Sequence, residues 1–160
     1  PPERTASRAV ARARACIQQM SGRQGVVAVV EDDSGLREAL RRRLGAAGFE
    51  ARAYASAEEF LRANAIAELS CLVLDVRLPG ASGPDLQRRL IAEGRAHPVI
   101  FITAHDTAAA RQEADELEAV AFLAKPFEGH LLVSAVEEAM AMAEESRDRN
   151  RRKDDDLKPN

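Results

Sequence analysis

The sequence predicts an α/β fold: a doubly wound, five-stranded parallel sheet with helices on both faces. Three observations predict it. Four continuous apolar runs rich in β-branched residues recur at 26–30, 71–75, 98–103 and 120–124, and each gives way to a polar or charged side chain. A short stretch at 49–55 supplies the fifth strand, second in chain order. The stretches between the runs switch to helical spacing, and strands that alternate with helices lie parallel because parallel neighbours need crossover connections.

The first strand, Val26–Val30, runs directly into Glu31, Asp32 and Asp33. From Ser34 the pattern turns helical: Leu36, Ala39, Leu40 and Leu44 share one face, Arg37, Glu38, Arg41, Arg42 and Arg43 fill the other, and Gly48 stops the helix. After the second strand, Ser56 and Glu59 have the spacing of a capping box, and Phe60 with Leu61 forms the buried side of a second helix. The third strand, Cys71-Leu72-Val73-Leu74-Asp75, is apolar throughout until it ends in a carboxylate, and the others are organised around it. Pro84 opens a third helix that turns Leu86, Leu90 and Ile91 inward, and Gly94 ends it. The fourth strand finishes at Thr103. The helix after it, over 106–118, is rich in Ala, Asp and Glu with Leu117 as its large apolar side chain, so it is expected to be exposed and weakly anchored. The fifth strand leads to Lys125-Pro126, and 127–142 form a last amphipathic helix that buries Leu131, Leu132, Val136 and Met140.

Right-handed crossovers leave few arrangements for five strands, and the flavodoxin-like order 2-1-3-4-5 is the usual one. In that order strands one and three are neighbours at the topological switch point, where ligands of open sheets bind beyond the carboxyl ends of the strands. Glu31, Asp32 and Asp75 then converge, with Thr103 and Lys125 delivered by the next two strand ends.

With 160 residues and a hydrophobic fraction of 46%, the chain is long enough to bury a core without disulfides or a structural metal. A net charge of -3 gives no general pull toward nucleic acid. Cys16 and Cys71 are the only cysteines and lack Cys-x-x-Cys spacing, which argues against a disulfide framework or a zinc site; Cys71 is expected in the core. The chain divides into a basic extension at 1–24, compatible with a peripheral helix over 5–19, a domain at 25–143, and a charged tail or linker at 144–160. No apolar run approaches the ~18 residues of a membrane span, and no signal-like hydrophobic stretch opens the chain. The chain is therefore expected in the cytoplasm, with neither membrane nor nucleic acid among its own partners.

Carboxylates pressed together repel unless a cation offsets them, and oxygen donors favour a hard metal. Mg²⁺ suits such a site beside a phosphoryl group, because it keeps waters and needs only one or two direct carboxylates. A lysine at the opposite rim neutralises a phosphoryl oxygen, and a threonine hydroxyl donates to another. That arrangement suits Asp75 acting as a nucleophile to form an aspartyl phosphate. Asp33 is expected to cap the first helix or support the acid pair, His105 to be a loop residue beside the pocket, and His97 and His130 to lie at the surface.

Taken in order, Val-Glu-Asp-Asp at 30–33, Asp-Val-Arg-Leu-Pro-Gly-Ala-Ser-Gly at 75–83, Thr-Ala at 103–104 and Lys-Pro-Phe at 125–127 resemble the receiver domain of bacterial two-component response regulators, over about residues 25–143. The resemblance implies that Asp75 is the phosphoacceptor and that Glu31 and Asp32 form the acid pair for Mg²⁺. It also implies a further metal contact through the backbone carbonyl of Arg77, a switch hydroxyl at Thr103, a phosphate-contacting Lys125 and a switch aromatic at Phe122. The implied partners are a sensor histidine kinase or phosphotransfer protein and a downstream protein or output domain, with a homodimer through the face of helix four, strand five and helix five. The implied role is not that of a free-standing enzyme but of an acceptor that assists its own phosphorylation and dephosphorylation.

From packing alone, Thr103 can equally end its strand and Phe122 be an ordinary core aromatic. Members of the family usually carry Gly just before the fifth strand; this chain has Glu118 there, so the turn is expected to be made differently. Two other classes stand beside this reading. One is an interaction module that is never phosphorylated, against which the complete pocket argues. The other is a small-molecule aspartyl-phosphate hydrolase, which would want an acid soon after the nucleophile, where Val76 and Arg77 stand. The receiver is either stand-alone or part of a longer transcriptional regulator.

Overall fold

Apolar side chains at every position, rather than at alternate ones, suit a strand covered on both faces. β1 (Val26–Val30) is of this kind, and so is β3 (Leu69–Asp75) apart from Ser70 and Asp75; every residue of both is buried. The computed structural model describes residues 25–156, so the helix expected over 5–19 lies outside the described residues. β1 is followed by α1 (Ser34–Ala46), β2 (Glu50–Tyr54), α2 (Ala57–Ala63) and a short 3-10 turn (Ile66–Glu68). After β3 come α3 (Gly83–Ala92), β4 (Val99–Thr103), α4 (Ala108–Glu116), β5 (Ala121–Ala124) and α5 (Gly129–Asp156). All neighbours are parallel and the order is β2-β1-β3-β4-β5, as the sequence predicts.

The period-two alternation of the strands sorts the core onto two faces. Val27, Val29, Cys71, Val73, Ile100 and Ile102 pack with Leu40 and Leu44 of α1 and with Leu132, Val136 and Ala139 of α5. Val26, Ala28, Val30, Leu72, Leu74 and Phe101 pack on the other side with Phe60 of α2, Leu86 and Leu90 of α3 and Ala114 of α4. A register shift between Val26 and Val27 leaves Ser70 as an extra residue opposite β1, so Leu69 and Leu72 share a face although three apart. Cys71 is buried as expected, and burial pushes its thiol up to about 12. No helix among the described residues is long and apolar enough to cross a membrane.

Two large apolar residues expected inside lie outside: Ile91 is 46% exposed and Leu131 is 45% exposed. Each directly follows or precedes a fully buried leucine, Leu90 and Leu132, and successive side chains on a helix point about 100° apart. Only one of each pair can face the sheet. The last helix also overruns its expected end at 142 and continues to Asp156. No Gly or Pro occurs from 130 to 156 to stop it, and residues 144–154 are exposed, as their charge requires.

Three helices end the same way. In α1, Phe49 N–H reaches back to Leu44 O at 3.0 Å and Gly48 N–H to Gly45 O at 3.0 Å; in α3, Arg95 and Gly94 repeat this toward Leu90 and Ile91. In α4, Ala119 N–H donates to Ala114 O and Glu118 N–H to Asp115 O, both at 3.0 Å. This is the Schellman pattern, which needs a left-handed residue past the helix end. Gly48 has φ 95°, Gly94 φ 67° and Glu118 φ 54°. The turn before β5 is therefore not made differently from its glycine counterparts: Glu118 adopts the same conformation and bears the cost of a Cβ there. That cost is about 1–2 kcal/mol, partly offset by the greater freedom of an unfolded glycine. Glu118→Gly is expected to stabilise the domain by about 0.5–1 kcal/mol in urea unfolding. A lowered midpoint would show that the Glu118 side chain contributes something the backbone argument omits.

α4 is as weakly anchored as its composition suggests, with Ala114 as its buried residue. Charge does part of the work that apolar side chains do elsewhere. Arg88 of α3 reaches Glu113 of α4 at 2.5 Å, a half-exposed pair of the kind that contributes about 0–1 kcal/mol.

Candidate functional site

Where β1 and β3 end side by side, their carboxylates cannot avoid one another. Val30 pairs with Leu74, so Glu31 leaves the sheet next to Asp75. Ligand oxygens of Glu31, Asp32 and Asp75 lie within 4.8 Å of one another. Glu31 is 1% exposed and Asp75 5%, whereas Asp32 is open to solvent. Such a group is costly without positive charge nearby.

Lys125 supplies one such charge. It follows β5, two strands away from β3, and only a long stem can carry an ammonium across the end of β4. Its Nζ lies 2.7 Å from Asp75 Oδ2 and 2.7 Å from Glu31 Oε2. Its backbone N–H is tied to Thr103 O at 2.7 Å, which fixes where the stem begins. Burial works against the ammonium, but hydrogen bonds to Asp75 and Glu31 outweigh it and raise the Lys125 pKa. Burial pushes the Glu31 carboxyl up to about 7, with the Lys125 hydrogen bond pulling the other way. Two of the three carboxylates thus share one ammonium, and the donor set is all oxygen.

The remaining predicted residues are placed as follows. Arg77 is exposed, and its backbone N–H donates to Asp75 Oδ1 at 3.0 Å. Thr103 is 1% exposed at the end of β4, one residue past the partner of Asp75, and its hydroxyl accepts from His105 N–H at 3.0 Å. His105 is exposed in the loop, as expected. His130 is exposed beside Glu128, but His97 is half-buried rather than at the surface. Burial pushes the His97 pKa down, opposed by a backbone hydrogen bond at Ile66. Asp33 fulfils both roles foreseen for it: its side chain caps α1 by accepting from Leu36 N–H at 2.7 Å, and its own N–H donates to Glu31 Oε1 at 3.1 Å. Phe122 lies apart from this cluster on β5, half-buried, with the Arg111 guanidinium 5.0 Å from its ring centroid. Arg111 is held there by Asp106 at 2.6 and 2.7 Å.

Three further residues support the site and its surroundings. Arg37 donates to the carbonyls of Glu31 and Asp32. Glu58 accepts from Ala81 N–H at 3.1 Å, so α2 steadies the loop after Asp75, and that amide holds the Glu58 carboxyl below its usual range. Arg111 covers Phe122. The Glu58 contact joins residues 23 apart and leaves no local signature.

The chain matches the family described as response regulator receiver domain over residues 27–137. It belongs to that family. The receiver is 36% identical over 121 residues to transcriptional regulatory protein FixJ of Bradyrhizobium diazoefficiens, covering 76% of this chain and 59% of that protein. It is 42% identical over 129 residues to nodulation protein W of the same organism, covering 81% of this chain and 55% of that protein. The chain thus spans less than two thirds of the length of these curated relatives. A solved structure of the response regulator StyR superimposes with a TM-score of 0.72 at 38% identity, covering 82% of this chain and 67% of that one. Phosphorylation on aspartate is general to receivers of this family, which generally bind Mg²⁺ at acidic residues, and this receiver has an acidic cluster at Glu31, Asp32 and Asp75.

Proposed function

We propose that this receiver accepts a phosphoryl group on Asp75 from a sensor histidine kinase or phosphotransfer protein and passes the change to an output domain or downstream protein. The observation that carries this reading is the Lys125 ammonium held 2.7 Å from both Asp75 and Glu31 beside a third carboxylate. The donor set fits Mg²⁺: hard oxygens, an excess of negative charge, and an exposed Asp32 that leaves room for waters. Glu31, Asp32, Asp75 and the Arg77 carbonyl would hold the ion. Bound there, it would supply positive charge beside the phosphoryl oxygens.

The chain's own groups do the rest. Asp75 Oδ attacks phosphorus, the bond from phosphorus to the donor imidazole breaks, and the electron pair returns to the ring, which takes a proton from solvent. Lys125, already paired with Asp75, exchanges that carboxylate contact for one to a phosphoryl oxygen. Thr103 then turns its hydroxyl from His105 toward the new dianion, and Phe122 follows into the space, altering the surface of α4 and β5. In this reading the chain is an acceptor that assists its own phosphorylation and dephosphorylation, with 25–143 as the receiver, 1–24 as a basic extension and 144–160 as a charged tail or linker.

Incubation with radiolabelled acetyl phosphate and Mg²⁺ is expected to label the chain, and EDTA to abolish the label. Equal labelling with and without chelator would remove the metal from the reaction.

A further inference from the structure

Arg37 stands where helix electrostatics disfavour it. It lies in the first turn of α1, a turn without acidic residues, although the partial positive charge of a helix N-terminus repels a cation. What holds it there is the turn before the helix. Its Nη1 carries two hydrogens and donates to Glu31 O at 2.9 Å and to Asp32 O at 3.2 Å, two carbonyls past the end of β1.

The peptide between Asp32 and Asp33 is consequently pinned at both ends. Its oxygen is held by Arg37 and its N–H by the Glu31 carboxylate at 3.1 Å. Fixing that plane fixes the direction in which the Asp32 side chain leaves the backbone. This matters because the Asp32 carboxylate is exposed and carries no hydrogen bond of its own among the described residues. Its place within 4.8 Å of Glu31 and Asp75 rests on the backbone alone.

We propose that Arg37 is a positioning residue for divalent-cation binding, clamping the acid pair's carbonyls so that Asp32 and Glu31 face Asp75. The inference rests on the reading of the acidic cluster as a cation site given above. Electrostatics makes the sign of the effect diagnostic. Removing a cation near carboxylates should by charge alone tighten metal binding, whereas removing a clamp should weaken it.

The test uses the full chain and Mn²⁺ alone as probe, with free Mn²⁺ read by electron paramagnetic resonance, Mg²⁺ as competitor and no phosphodonor. Arg37→Met is expected to weaken Mn²⁺ binding about tenfold, the low end for a residue behind a metal ligand, and Arg37→Lys to recover part of it. In Arg37→Met, amide exchange at Asp33 should quicken while exchange at Val73 in β3 stays unchanged. Asp32→Ala should remove the binding. If Arg37→Met binds as tightly as wild type, or tighter, while Asp32→Ala does not bind, the clamp is refuted and the cation site stands. If Asp32→Ala binds like wild type, the site itself fails and Arg37 has nothing to position. If neither Arg37 variant folds, the residue serves overall stability and the proposal is overturned.

Discussion

Asp75→Asn is expected to lose phosphoryl labelling completely while remaining folded. The carboxamide is nearly isosteric, so the 5% exposed site is filled as before, but it is no nucleophile at neutral pH. Its nitrogen must face one of two donors, Arg77 N–H or Lys125 Nζ, and in either case Lys125 keeps Glu31, to which it is already bonded at 2.7 Å. One of three crowded carboxylates is removed, and their repulsion with it. The urea midpoint should therefore not drop. Unchanged labelling would place the acceptor elsewhere; loss of labelling together with loss of the fold would make the variant uninformative about chemistry, which is why both are measured on the same sample.

Gly83→Ala is the second large effect, and it comes from backbone rather than charge. A Cβ at Gly83 would sit 2.2 Å from the backbone oxygen of Asp75, 3.0 Å from its carbonyl carbon and 3.3 Å from Leu74 Cβ. None of these is the far end of a flexible side chain. Gly83 N–H also donates to Val76 O at 3.2 Å, and Ser82 and Asp85 close a capping box around it, so the helix start cannot simply back away. The substitution must displace the strand end that carries Asp75. A loss of about 1–3 kcal/mol is expected, as for overpacked cores, with labelling slowed on the order of 100-fold by misplacement of the nucleophile. Gly45→Ala is the control: it lies in α1 with nothing within 4 Å of the added atom, and should gain about 0.5–1 kcal/mol. If both alanines behave alike, the close approach of α3 to Asp75 is not what Gly83 provides.

The two glycines differ in a way no sequence reading could see, since both sit in helical segments. What was legible is what a strand end determines. Continuous apolar runs specify the sheet, crossover handedness leaves few orders of which 2-1-3-4-5 is the usual one, and that order brings Glu31, Asp75 and Lys125 together. Asp33 was legible as a cap because capping is local, and its second bond to Glu31 spans only two residues. The capping box was found in the right helix with one partner displaced: Ser56 accepts from Glu59 N–H, but Glu59 reaches Ala55 rather than Ser56.

The structure departs from the sequence expectation where one residue step decides the face, as for Ile91 and Leu131, and a contact between distant segments, such as Glu58 with Ala81, leaves no local signature. The turn at Glu118 departs from expectation for another reason. Glycine is preferred in the left-handed region but not required there, and the two backbone hydrogen bonds that close α4, from Ala119 to Ala114 and from Glu118 to Asp115, offset about 1–2 kcal/mol of strain. Arg37 did carry a signal, a cation in a helix's first turn, but its meaning depends on carbonyls whose direction only coordinates reveal.

A labelled variant series locates the phosphoryl group by subtraction; chemical trapping locates it directly. Wild-type chain treated with acetyl phosphate and Mg²⁺, reduced with borohydride and digested, should yield homoserine at position 75 by tandem mass spectrometry, because hydride reduces an acyl phosphate and leaves free carboxylates alone. Homoserine at another acid, or a phosphoryl group retained on a histidine or hydroxyl residue, would contradict the assignment of Asp75.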